Sequence, residues 1–70
     1  MKWTPYRHGV GLGALHAMNN PAATKEQVRA DAKEEVSKHD YVYGGKDSFI
    51  RGYLTGFTRY LNIAKERGIA

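Results

Sequence analysis

Three stretches of the chain set apolar residues at helical spacing, each bounded by residues that start or stop a helix. In the first, Tyr6, Val10, Ala14 or Leu15, and Met18 recur every three to four positions, the period that gathers side chains on one face of an α-helix. Thr4 stands before it as an N-cap, and Pro5 takes the first helical position, where a missing N–H costs nothing. Asn19-Asn20-Pro21 closes it, because the residue before a proline avoids the α conformation. The pattern predicts a helix over residues 5–19.

The second stretch opens with Thr24 and Gln27 in the T-x-x-Q spacing of a capping box. Val28, Ala32 and Val36 then follow at i, i+4 and i+8, a narrow apolar stripe on an otherwise charged helix over residues 24–38. The third is the richest, with Phe49, Ile50, Tyr53, Leu54, Phe57, Tyr60, Leu61 and Ala64. Asp47 or Ser48 is its expected cap and Gly68 its C′ residue, giving a helix over residues 48–67. Residues 39–46 form a connection. Tyr41-Val42-Tyr43 has β character but is too short to make a sheet alone, and Gly44-Gly45 marks a turn. The expected architecture is all-α, one domain over residues 1–70, with the charged second helix covering the two long ones.

Sliding the chain against itself exposes a repeat. Tyr6-x-x-Gly9-x-x-x-Gly13, followed by Asn19, matches Phe49-x-x-Gly52-x-x-x-Gly56, followed by Asn62, at a constant offset of 43 residues. In that register His8 meets Arg51, His16 meets Arg59, Met18 meets Leu61, and Thr4 meets Asp47. Glycine inside a helix costs about 1 kcal/mol against alanine, so Gly9, Gly13, Gly52 and Gly56 need a reason. Close approach of two helix backbones supplies one. Gly-x-x-x-Gly serves that purpose in membrane helices, and the geometry holds in water too. The simplest reading packs the first helix on the third through these strips; the sharper one seats a second subunit or a partner helix there. The pattern resembles that of small uncharacterised bacterial and phage proteins with aromatic-x-x-Gly-x-x-x-Gly helices, over residues 6–19 and 49–62. The resemblance implies a compact accessory protein that acts by binding, and gives no residue a role.

Composition narrows the function classes. Seventy residues make one domain at most, and a chain this short buries only about 60% of the surface its unfolded form exposes. Without cysteine there is no disulfide and no thiolate metal site, so tight packing or a homodimer is the expected source of added stability. No apolar h-region follows Lys2 and no run is long enough to span a bilayer, so a cytoplasmic protein without a membrane role is expected. The net charge of +4 is concentrated toward the two ends of the chain. Such a field favours acidic partners.

Candidate chemistry is sparse. His8 and His16 stand eight residues apart, not the three or four of a helical metal pair, and His39 lies elsewhere. Ser37 and Ser48 lack the neighbours of an activated nucleophile. The adjacent pair Glu34 and Glu35 diverges on a helix. Residues 44–48 are glycine- and lysine-containing but lack phosphate-loop spacing. No catalytic, metal or cofactor site is expected, and the chain is not read as an enzyme.

What remains is a basic, aromatic surface. Arg51, Thr55 and Arg59 share one face of the third helix, with Tyr60 and Lys46 beside them. His8 and His16, their counterparts in the repeat, add to the candidate partner-binding set. Tyrosine and arginine dominate protein hot spots and single-strand binders alike. The leading expectation is an accessory or inhibitory protein, phage-encoded in its genre, that docks on a larger protein; the alternative is a nucleic-acid binder using the two basic helices.

Overall fold

The computed structural model describes residues 4–39 and 45–68. The expectations for Tyr41-Val42-Tyr43 and Gly44 fall outside them. Three helices are present, α1 (Pro5–Asn19), α2 (Lys25–Val36) and α3 (Gly45–Glu66), with no strand among the described residues.

Local chemistry sets the boundaries. The Thr4 side chain accepts a hydrogen bond from the Arg7 N–H at 3.2 Å, and Pro5 follows at the start of α1. At the other end the Asn20 N–H donates to the His16 carbonyl at 2.8 Å. The capping box of α2 is complete: Gln27 N–H donates to Thr24 Oγ1 at 3.2 Å, and Thr24 N–H to Gln27 Oε1 at 2.9 Å. α2 stops at Val36, two residues short of the sequence expectation. There the ladder tightens to three-residue bonds, Lys38 N–H to Glu35 and His39 N–H to Val36. α3 begins at Gly45, earlier than expected, so Asp47 lies in its first turn and is not its cap. Gly68 ends the chain's helical run with φ +69°, the left-handed conformation of a C′ glycine.

The core is small. Val28, Ala32 and Val36 of α2 meet Phe49, Tyr53 and Phe57 of α3, with Ala17 of α1 completing the cluster. Among the described residues, Phe49 and Val28 are the large side chains most fully shielded from water. No charged or polar side chain is buried among the described residues. The Cα trace spans 39 × 27 × 14 Å, too thin for a deep interior.

The main contact is instead between backbones. A Cβ placed on Gly9 would strike the Phe49 carbonyl and the Tyr53 nitrogen of α3, and one on Gly13 would strike the Tyr53 carbonyl. A Cβ on Gly52 would strike the Tyr6 carbonyl of α1, and one on Gly56 the Val10 carbonyl. All four clashes fall below 3.0 Å, a separation real Cβ atoms essentially never show. The hydrogen in place of each Cβ therefore faces a carbonyl oxygen across the seam, as in Cα–H···O contacts between close helices.

These contacts are reciprocal. Moving both partners of the Gly9–Phe49 contact by the 43-residue offset and exchanging helices gives Gly52–Tyr6; the same operation turns Gly13–Tyr53 into Gly56–Val10. The sequence repeat is thus realised as an approximate two-fold relation between α1 and α3, the isologous geometry of a symmetric dimer built inside one chain. Because later residues of α1 meet later residues of α3, the two helices run parallel. α2 returns between them in the opposite direction and leans mainly on α3.

Gly13→Ala and Gly56→Ala test the seam. Helix propensity alone would favour alanine by about 1 kcal/mol, yet the new Cβ meets backbone that cannot turn aside. A net loss of about 1–3 kcal/mol is expected, lowering Tm by at least about 5 °C in thermal melts followed by circular dichroism. An unchanged Tm in both variants would dismiss the close contact. Lys33→Ala, on the exposed face of α2, should stay within about 0.5 kcal/mol of wild type.

Candidate interaction surface

A parallel pair of helices has two flanks, and the glycine strip fixes which residues edge each one. At 100° per residue, His8, Leu12 and His16 lie on one side of the Gly9–Gly13 strip and Val10 and Ala14 on the other. On α3, Tyr53 and Phe57 lie on one side of Gly52 and Gly56, and Arg51, Thr55 and Arg59 on the other. The two-fold relation then opposes the histidine edge of α1 to the aromatic edge of α3. It opposes the arginine edge of α3 to Val10 and Ala14. Observed contacts fix the first pairing: His16 Nδ1 is 2.7 Å from the Tyr53 hydroxyl, and the His8 ring meets Phe49 edge-on with centroids 5.5 Å apart.

α2 covers the histidine flank. Asp31 Oδ2 lies 3.5 Å from His16 Nε2, and His39, just past the helix, stacks edge-on against His8 at 4.7 Å. Glu35 stands 3.8 Å from His39 Nε2. The His16 ring lies between the Tyr53 hydroxyl at Nδ1 and the Asp31 carboxylate at Nε2. Tyr53, His16 and Asp31 thus clip three helices together. Burial, then the negative charges of Asp31 and Glu35, raise the Tyr53 pKa above its ordinary 10.0. The phenol is held neutral, the reverse of what activating it as a nucleophile requires.

His8 and His16 therefore face inward toward α2, apart from the arginines they match in the repeat. Tyr60 is half-buried and packs on the core. Lys46 is exposed, but its helical angle sets it on the opposite side of α3 from Thr55. Of the expected partner-binding set, Arg51, Thr55 and Arg59 stay together. Spacing alone could not show that His16 completes a clip with Tyr53 and Asp31, since the three come from three helices. Nor did it show that Val10 and Ala14 complete the arginine flank; the glycine strip carried that signal, once read as a parallel crossing.

The arginine flank is open among the described residues. Val10, Ala14 and Thr55 are half-buried by the seam, while Arg51 and Arg59 are exposed. Neither arginine pairs with a carboxylate of the described residues. Exposure differs between positions that the repeat makes equivalent: Phe49 is 0% exposed and Tyr6 36%. Similarly, Leu61 packs against the core while Met18 is 57% exposed. Two shallow clefts border α2. One of about 280 Å³ lies against α3 beside Val28, Leu54 and Leu61, and one of about 320 Å³ lies between Leu12, Leu15 and Glu35. His16, Asn19 and Tyr53 also line the second. Among the described residues no three His, Asp or Glu side chains come together to hold a metal, and no helix is long and apolar enough to cross a membrane.

No family model, curated protein or solved structure matches the chain.

Tyr53→Phe removes the hydroxyl from the clip. A loss of about 1 kcal/mol at neutral pH is expected from the hydrogen bond, measured by urea denaturation. The raised Tyr53 pKa stabilises the fold below pH 10, and that contribution is lost as pH rises through the higher folded value. Wild type should therefore lose stability on the alkaline side of pH 10, and the variant should lose less.

Proposed function

We propose that the chain is a small non-enzymatic interaction module, an accessory or inhibitory protein that docks on a larger protein through the flank carrying Arg51, Thr55 and Arg59. One observation carries this reading: two exposed arginines, unpaired with any carboxylate of the described residues, border half-buried apolar positions on a seam fixed by backbone contact. Arginine is enriched in protein hot spots, and here it stands beside the half-buried Val10 and Ala14. The seam holds the arginine stems on a rigid helix, which lowers the ordering cost of binding. A net charge of +4 adds attraction toward acidic surfaces.

The nucleic-acid alternative draws on the same charge. It has less support, because affinity for a duplex rests on several phosphate contacts. This flank offers Arg51 and Arg59, with Arg7 at its α1 edge by helical angle, and Lys46 points elsewhere.

Affinity capture from the native host, with nuclease treatment, tests the reading. A protein partner should be retained by wild type and lost by Arg51→Glu/Arg59→Glu, whose two exposed sites leave the fold intact. Retention of every partner by that variant would rule out this surface. Captured material that disappears on nuclease treatment would favour nucleic acid.

A further inference from the structure

α1 and α3 are related by an approximate two-fold, so their two flanks are equivalent in backbone. One flank holds a helix. We infer that the other is a seat for a second helix, supplied by the partner, amphipathic and acidic, and running antiparallel to α1 and α3 as α2 does. The inference rests on the reading of this flank as a protein-docking surface.

α2 shows how such a seat is filled. Its small apolar residues, Val28, Ala32 and Val36, enter the flank at i, i+4 and i+8. At its edge, i+3 (Asp31) faces His16, and in the turn that follows the helix His39 stacks on His8. The direction is antiparallel, because the earlier α2 residue meets the later α1 residue. The two-fold carries His16 to Arg59 and His8 to Arg51. A helix on the open flank, continued one turn further than α2, therefore meets a guanidinium where Asp31 meets His16 and another where His39 meets His8. The chemistry that pairs there is a carboxylate at i+3 and another at i+10, which share one edge of a continuous helix about 10 Å apart along it, each within the reach of an arginine fork.

Volume adds a second requirement. On the filled flank α3 contributes Tyr53 and Phe57, whereas the equivalent residues facing the open flank are Val10 and Ala14. The missing bulk must come from the occupant, so its stripe at i, i+4 and i+8 should be leucine, isoleucine or phenylalanine. Charge on the open flank supports the same occupant. α1 has no acidic residue, and on α3 Asp47 and Glu66 lie outside ion-pair distance of Arg51 and Arg59.

The test uses the full isotope-labelled chain and two synthetic helical peptides. Both carry leucine at i, i+4 and i+8; one has glutamate at i+3 and i+10, the other lysine. The glutamate peptide should shift the amide resonances of Val10, Ala14 and Thr55 and spare Leu12. Its affinity should fall about tenfold or more in Arg51→Glu/Arg59→Glu, and that variant should prefer the lysine peptide. Equal binding of the two peptides, no binding, or shifts confined to the α2 flank would overturn the inference. So would concentration-dependent shifts of the same amides without peptide, which would assign the flank to a second copy. If the glutamate peptide fails while a host protein is still captured through Arg51 and Arg59, the helical occupant is wrong and the docking surface stands. An oligonucleotide that occupies the same amides in preference to the glutamate peptide would end both.

Discussion

The approach of two helix backbones at Gly9, Gly13, Gly52 and Gly56 governs the rest of the molecule. With a Cβ at any of the four, α1 and α3 would stand farther apart, and the carbonyls of Tyr6, Val10, Phe49 and Tyr53 would lose their close partners. Bringing the backbones together substitutes many short-range dispersion contacts for the large apolar core that a chain of this size cannot build. It also sets the direction of the pair. Parallel helices joined in one chain need a return segment, and α2 is that segment. The clip of Tyr53, His16 and Asp31 then ties the return to both long helices.

From this seam follows the division of the surface. Side chains beside the glycines turn toward one flank or the other, and α2 covers only one. Val28, Ala32 and Val36 find large partners there in Phe49, Tyr53 and Phe57. The other flank keeps small residues from α1 and arginines from α3. Equivalent backbone positions thus carry different side chains, as required if one groove is closed internally and the other left for a partner. Histidine suits the covered side, where a ring can stack and donate to a carboxylate without a permanent charge. Arginine suits the open side, where water solvates its charge.

Much of this was legible in the sequence. Thr4-Pro5, the Thr24/Gln27 box and Gly68 marked helix ends because each acts through its own neighbours, and the glycine spacing forecast the seam because only a close backbone demands it. Less was legible where long-range contact decides. The start of α3 at Gly45 overrides the cap expected at Asp47 or Ser48, and local cap chemistry does not reveal it. His8 and His16 could be surface or half-buried from the sequence, because a lone helix gives no account of what α2 will lay over it; both are half-buried. The separation of Lys46 from Arg51 could be read from helical angle alone, but became meaningful only once the glycine face was known to be the buried one.

The 43-residue offset also bears on how the chain reaches this state. Most small helical proteins form their main contacts between sequence neighbours, which keeps loop-closure entropy low and folding fast. Here the principal seam joins segments from opposite ends of a 70-residue chain. It cannot close until the intervening turn, helix and connection have doubled back, and its entropic cost falls before its contacts form. The capped α2, packing mainly on the neighbouring α3, forms the more local pair, onto which α1 can dock last. The glycine seam that secures the finished molecule is thus a contact between segments offset by 43 residues, closed at a higher entropic cost than the packing of neighbours.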